Sequence, residues 1–303
     1  MLASEASMQD AHAEHRRGQA LVALAAIAWS TAGLFQRELT LDVPTQMAGR
    51  AFFAFLALAA YAAVAERGRV RRAFVAIGRS GIVVAFCMAI ASGGFIVALN
   101  HTSVARVLFV QAVSPVAAAL IAWPALGERV APRGWIAMGG ALAGVGVMMG
   151  SPGGSDLTGD IASLCMMLGF AVAIVITRHR RDVSMAPATC LAQAILVIAM
   201  APISAPGDVG AKDLGLLVAI GAIQMALGMG LFAAGARLVP AAEAALITLL
   251  EVILGPIWVW LVLSERPDTA TLIGGAVIML AVVVQVSGDP SSQAEVEAEI
   301  GTP

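Results

Sequence analysis

Charged residues are scarce in this sequence: Asp, Glu, Lys and Arg make up 13% of 303 residues, while 59% are hydrophobic. A soluble domain carries about 25% charged residues, and a chain of mean hydropathy +0.88 would turn large apolar patches to water. That excludes an ordinary soluble protein. Cysteine is almost missing as well. Cys87, Cys165 and Cys190 lie inside apolar runs without CxxC spacing, which excludes a disulfide framework and reads as three small buried hydrophobes. The four histidines, His12, His15, His101 and His179, are too scattered to form a buried cluster. There is no GxxxxGK[ST] loop for ATP and no HExxH zinc helix. No convergent set of acid, base or metal groups marks an enzyme, so no catalytic residue, cofactor, metal or nucleic-acid partner is expected.

What the sequence does have is length in its apolar runs. They fall at roughly 19–36, 45–65, 80–99, 103–126, 134–150, 160–177, 187–205, 214–235, 241–263 and 270–287. Each is about 17–24 residues, enough at 1.5 Å rise per residue to cross a hydrocarbon core of about 30 Å. The expectation is an all-α integral membrane protein of ten transmembrane helices. The first run follows His15-Arg16-Arg17, as a signal peptide's would, but its match to the sixth run argues that it is retained. Polar tails at 1–18 and 288–303 are expected to be flexible. Two units are expected at 19–150 and 160–287, joined by a Gly- and Ser-rich linker at 151–159.

The runs are duplicated. Trp-x-x-Leu-x-Glu-Arg occurs at Trp123–Arg129 and again at Trp260–Arg266, 137 residues on. At that offset Phe95 falls on Phe232 and Ala105 on Ala242. Near the starts of the halves, Gly18, Trp29 and Arg37 align with Gly159, Phe170 and Arg178 at an offset of 141. Duplicated membrane units around a central cavity are a common plan of secondary transporters. Basic residues set the orientation. With the N-terminus inside, the inner segments hold 13 of them, including Arg67, Arg69, Arg71, Arg72 and Arg79 in one loop. The outer segments hold Arg37, Arg106, Lys212 and Arg266. The asymmetry predicts both termini in the cytoplasm. Five helices per unit is an odd number, so the second unit enters the bilayer upside down relative to the first, as a 5+5 inverted repeat.

Glu251 is the one carboxylate near the middle of a run. A charge at that depth costs at least about 2.5 kcal/mol, so it faces a cavity or a partner. Two readings stand side by side: a proton site or contact for a substrate amine, and a hydrogen-bonded Glu that locks the ninth helix to a neighbour. Arg50, near the start of the second run, reads first as a snorkelling cation at the outer interface and second as a contact for a substrate carboxylate. Uncharged polar residues at mid-depth suit a selective pocket. Ser92, Gln111, Gln224 and Thr248, with mid-run Trp29, are the substrate-binding candidates; interhelical hydrogen bonding or plain packing is the other reading for each. Gln111 and Thr248 are repeat counterparts. So are Arg106 and Glu243, which inversion sends to opposite membrane faces, so each is assigned to a different gate, with His101 at the outer edge. Pro115 and Pro256 fall inside the fourth and ninth runs, where each frees a carbonyl and bends the axis. Gly93-Gly94 and Gly228-x-Gly230 read as hinges or as close-packing contacts, and Gly140-x-x-x-Gly144 as a small-residue face that packs within the chain or against a second copy.

Ser114-Pro115 followed by Gly127-Glu128-Arg129, Glu251 followed by Ser264-Glu265-Arg266, and the opening Trp29-Ser30-Thr31 resemble the EamA branch of the drug/metabolite transporter superfamily. Trp-Ser-Thr in the first run is also similar to the aromatic amino-acid exporters of the YddG type. Family halves often carry Glu-Pro at the start of the second copy; here Glu251 is followed by Val252, and the proline comes at Pro256. The resemblance implies a basket in which helices one, three, four, six, eight and nine surround a central cavity, with five and ten outside it. It implies a carrier that exports amino acids, aromatic or neutral, or related small metabolites across a bacterial inner membrane by alternating access. Its partners would be a small-molecule substrate and the lipid bilayer, and it would act as a monomer or homodimer. The alternatives are a carrier for drug-like cations or another metabolite and, in a different class, a channel or membrane scaffold. A channel calls for a ring of charged or carbonyl-rich filter sequence, and the sequence carries none.

Overall fold

The computed structural model describes residues 2–65, 70–126, 132–150, 157–180 and 183–286, and among them the only regular structure is helical. A chain this apolar has to bond its backbone internally, which a helix does within one segment. The helices are α1 (Leu2–Ser30), α2 (Ala32–Arg37), α3 (Val43–Ala65), α4 (Val70–Ala76), α5 (Gly78–His101), α6 (Val104–Ala112) and α7 (Ser114–Leu126) in the first half. They continue with α8 (Pro132–Met149), α9 (Leu157–His179), α10 (Ala186–Met200), α11 (Ala211–Val218), α12 (Met225–Gly235), α13 (Ala241–Leu263) and α14 (Thr269–Val286). Eight stretches are long and apolar enough to cross a membrane, and α8 and α14 contribute two shorter apolar helices.

The segment expected to be a flexible N-terminal tail is helical, because α1 begins at Leu2 and runs on into the first apolar run. Ala, Glu, Gln, Met and Arg recur there, and neither glycine nor proline appears before Gly18; this is a composition of good helix formers. The C-terminal tail, most of the linker, the Gly127–Arg129 end of the first Trp motif, and Arg67, Arg69 and Arg181 of the basic count lie outside the described residues.

Three irregularities shape the middle of the bundle. The first run breaks at Thr31, between α1 and α2, and the fourth at Val113, between α6 and α7. A π-helical turn, Ala219–Gln224, joins α11 to α12. Pro115 explains the second break: it has no N–H for the Gln111 carbonyl, and the Ser114 hydroxyl bonds that carbonyl instead, at 2.6 Å. Pro256 has no such effect, since α13 continues unbroken through it.

α5 packs along α9, α3 along α10, α8 along α14, and α1 along α12 and α13, while α6 and α7 reach α13 and α9. The largest apolar core joins α2, α3, α5 to α10, α13 and α14. Around α1 and α13 there is a small separate cluster of Val22, Val239 and Ala244. A Cβ on Gly144 would come within 2.7 Å of the Gly274 carbonyl oxygen, so the Gly140-x-x-x-Gly144 face is taken up inside the chain, by α14.

Polar contacts gather at the two ends of the bundle. At one end Arg37 pairs with Glu265 at 3.0 Å and donates to the Thr102 carbonyl oxygen at 2.6 Å. Glu265 also accepts from the Val104 N–H at 2.9 Å, and Arg106 pairs with Asp160 at 3.5 Å. At the opposite end Gln19 donates to Glu243, and His15 lies 3.2 Å from the same carboxylate.

Candidate functional site

Two cavities follow from this arrangement. The inner one, about 280 Å³, is lined from α1 by Trp29, from α2 by Ala32, from α3 by Arg50 and from α5 by Met88, Ser92 and Phe95. α6 contributes Gln111, α9 Phe170, α10 Thr189 and Gln193, the π turn Gln224, α12 Met225 and Met229, and α13 Glu251. The volume sits just below the range of about 300–1,000 Å³ for sites that take drug-sized ligands, so it suits a small metabolite. The second cavity, about 660 Å³, opens at the Arg37 end and is lined by Arg37, Asn100, His101, Thr102, Ser103, Arg106, Glu265, Arg266 and Asp268.

Four of the five residues expected to bind substrate, Trp29, Ser92, Gln111 and Gln224, share the inner cavity, and Glu251 joins them. Thr248 is not part of the lining. Its hydroxyl donates to the Ala245 carbonyl oxygen of its own helix at 2.7 Å, the usual refuge of a threonine inside an apolar helix. Gln111 from α6 and Glu251 from α13 line the same cavity. Gln224 performs a structural task as well: its amide nitrogen donates to the Ala28 and Trp29 carbonyl oxygens at 2.8 and 3.1 Å and lies 3.2 Å from the Thr31 hydroxyl. Those carbonyls precede the break at Thr31, so the amide replaces helix bonds lost there. Ser30 is likewise engaged, accepting from the Trp258 indole N–H at 2.9 Å.

Arg50 departs from the expected snorkelling. It is 7% exposed, its guanidinium carbon stands 5.3 Å from the centre of the Phe95 ring, and its Nε and Nη1 have no hydrogen-bond partner among the described residues. The face of the helix decides this, not the distance from its end: Arg50 points inward. Gln193 and Thr189 were not singled out from the sequence. The signal for both is a third offset: Pro44 and Pro187, each the second residue of its helix, lie 143 apart, and the same step takes Arg50 to Gln193 and Gln46 to Thr189. The apolar lining offers no comparable signal, because a mid-helix methionine or phenylalanine reads equally as packing.

The gating candidates divide between the ends. Arg106 and His101 border the outer cavity, and Glu243 lies at the opposite end with Gln19 and His15. Pro115 and Pro256 lie in α7 and α13.

A model of the EamA-like transporter family matches residues 16–150 and again 157–287, the two halves that the duplication marks out, and bears out the EamA resemblance of the motifs. No curated protein sequence matches the chain. One solved crystal structure, 20% identical, is similar to it with a TM-score of 0.58 over 88% of this chain and 97% of that one, a likeness of fold. A multi-pass apolar bundle, a cavity of metabolite size and two family matches over most of the sequence lead to one conclusion: the chain belongs to the EamA-like transporter family, membrane transporters of small metabolites.

Proposed function

We propose that this protein is a secondary transporter that exports amino acids, aromatic or neutral, or related small metabolites across a bacterial inner membrane by alternating access. One observation carries the reading. The inner cavity holds a guanidinium, Arg50, and a carboxylate, Glu251, with no ion pair between them, among amides and aromatic rings. Opposite charges on one small cavity complement a zwitterion, and amides and rings add hydrogen bonds and apolar contact without a net protein charge.

Ten spans in a 5+5 inverted arrangement, with both termini in the cytoplasm, complete the proposal. Two contacts support the inversion. Arg106 meets Asp160 at one end and Glu243 meets Gln19 at the other; Arg106 and Glu243 are repeat counterparts at offset 137, and Gln19 and Asp160 at offset 141. The same pair of positions therefore forms a latch at each end, which is what opening to alternate faces requires. Glu251 is assigned the coupling role, taking a proton on one side and releasing it on the other.

Flux of a labelled amino-acid panel in proteoliposomes tests this. Saturable uptake that a pH gradient drives uphill is expected. Glu251→Gln should abolish the uphill component and keep exchange of solute for solute. If the parent only equilibrates solutes, the coupling assignment fails; if no amino acid competes with any other, the substrate class fails. A carrier for drug-like cations is the second reading. Glu251 with the rings of Trp29, Phe95 and Phe170 favours it, and Arg50 in the same cavity counts against it. Non-saturable conductance would indicate a channel instead.

A further inference from the structure

Arg50 has the setting of a residue that waits for an anion. Other arginines of this bundle show what a structural one looks like here. Arg37 pairs with Glu265 and Arg106, only 1% exposed, pairs with Asp160. Arg50 has no carboxylate beside it among the described residues, and two of its nitrogens are buried without a protein partner. The Phe95 ring supports the cation by its π face, which steadies the charge but satisfies no N–H. A charged donor left so costs more than a neutral one.

The deficit is shared by neighbours in the same cavity. Gln193, 1% exposed, has its Nε2 buried without a partner, and Ser92, 7% exposed, its Oγ. Gln193 is the repeat counterpart of Arg50, carried on α10, which packs along α3. Three unpartnered side chains from α3, α5 and α10 therefore converge on one cavity, and the atoms they leave over are chiefly donors. We propose that Arg50, Gln193 and Ser92 form the seat of a substrate carboxylate, so that the carried solutes are small molecules with one free carboxylate, zwitterions included. This rests on the carrier reading above and narrows its substrate class. Guanidinium, amide and hydroxyl are the groups that bind a planar carboxylate. A phosphate fits less well: Glu251 lines the same 280 Å³ cavity, and its charge opposes a dianion more than a monoanion.

The experiment measures binding and flux separately on the purified full-length chain, with L-phenylalanine, 3-phenylpropanoate, L-phenylalaninamide, phenethylamine and phenyl phosphate as probes. At least one of the two carboxylates should bind roughly tenfold or more tightly than the amide and the amine, the scale of one charged hydrogen bond. Arg50→Gln should erase that preference, and Gln193→Leu should reduce it. Arg50→Met should raise the Tm of the ligand-free protein, because it removes a buried cation with no partner; a structural arginine would lower it. If Arg50→Gln does not fold, Gln193→Leu and Ser92→Ala carry the same measurement. Neither carboxylate binding more tightly than the amide and the amine overturns the seat, and so does tighter binding of phenyl phosphate. In those cases flux of the amine or the phosphate would leave the carrier reading standing. Carboxylate-selective binding with no flux of any probe would keep the seat and overturn the carrier.

Discussion

Around α9, the α5 helix and the α6–α7 rod bury 56% and 61% of their most apolar stretches; around α1, their repeat counterparts, α11–α12 and α13, bury 29% and 17%. The two trios descend from one sequence pattern and meet their partners differently. At mid-length α5 and α9 touch backbone to backbone: a Cβ on Gly169 would lie 2.6 Å from the Cys87 carbonyl oxygen. At the equivalent place α1 and α12 meet through side chains, since a Cβ on Gly228 would strike the Trp29 ring, and the Gln224 amide ties across to α1. Backbone contacts behave as one rigid body, whereas side chains change rotamer. The mid-length of the trio around α1 is therefore the part expected to yield, with local opening cheaper there than where α12 meets the α1 backbone, a Cβ on Gly235 lying 2.8 Å from the Gly18 carbonyl oxygen.

The largest test of that contrast is a pair of glycine substitutions. Gly169→Val should destabilise by about 3 kcal/mol or prevent folding, because backbone cannot move aside as a side chain can. Gly228→Ala should lower Tm less while cutting transport more than tenfold, by pushing the Trp29 ring into the cavity. Equal loss of Tm would break the comparison. Next come the latches. In a background without the three native cysteines, a cysteine at position 92 should react severalfold faster from the Arg37 side in Arg106→Ala and from the opposite side in Glu243→Ala. Acceleration from the same side in both would show that they are not opposed gates. Gln224→Leu should cost about 1–2 kcal/mol, because the Trp29 carbonyl loses the amide while the Ala28 carbonyl keeps the Thr31 hydroxyl, and Cys87→Ala, at the counterpart position, less than about 1 kcal/mol; detergent melts compare them. The smallest effect is expected at Thr248. Its bond stays within its own helix, so Thr248→Ala should change stability by about 0.5 kcal/mol or less and leave flux at the parent level.

Apart from the start of α1 at Leu2, hydropathy located the apolar helices to within a few residues, because hydrocarbon demands long uninterrupted runs. Polarity at mid-depth located Trp29, Ser92, Gln111, Gln224 and Glu251 on the cavity, since a polar group far from water has few places to go. Thr248 looked the same in sequence and differs only because a threonine can satisfy itself on its own helix. Arg50 was misread because depth along a helix says nothing about which face the side chain takes. The break at Thr31 and the π turn before Met225 have no local signature. They answer one another across two helices, 195 residues apart at the Gln224 bond to Trp29, and only a tertiary contact makes them legible.

The thioethers of Met88, Met225 and Met229 form part of the cavity wall. Methionine is unbranched, rotates about three bonds and is readily polarised, so such a wall takes the outline of whatever presses on it. Shape then becomes the least exacting part of recognition, and a bulky side group can be exchanged for a slender one at little cost while the polar anchors keep their geometry. The same sulfurs are open to oxidants that reach the cavity. A sulfoxide would replace a yielding apolar surface with a fixed polar one, so oxidative stress would narrow the range of solutes accepted before it unfolded the chain.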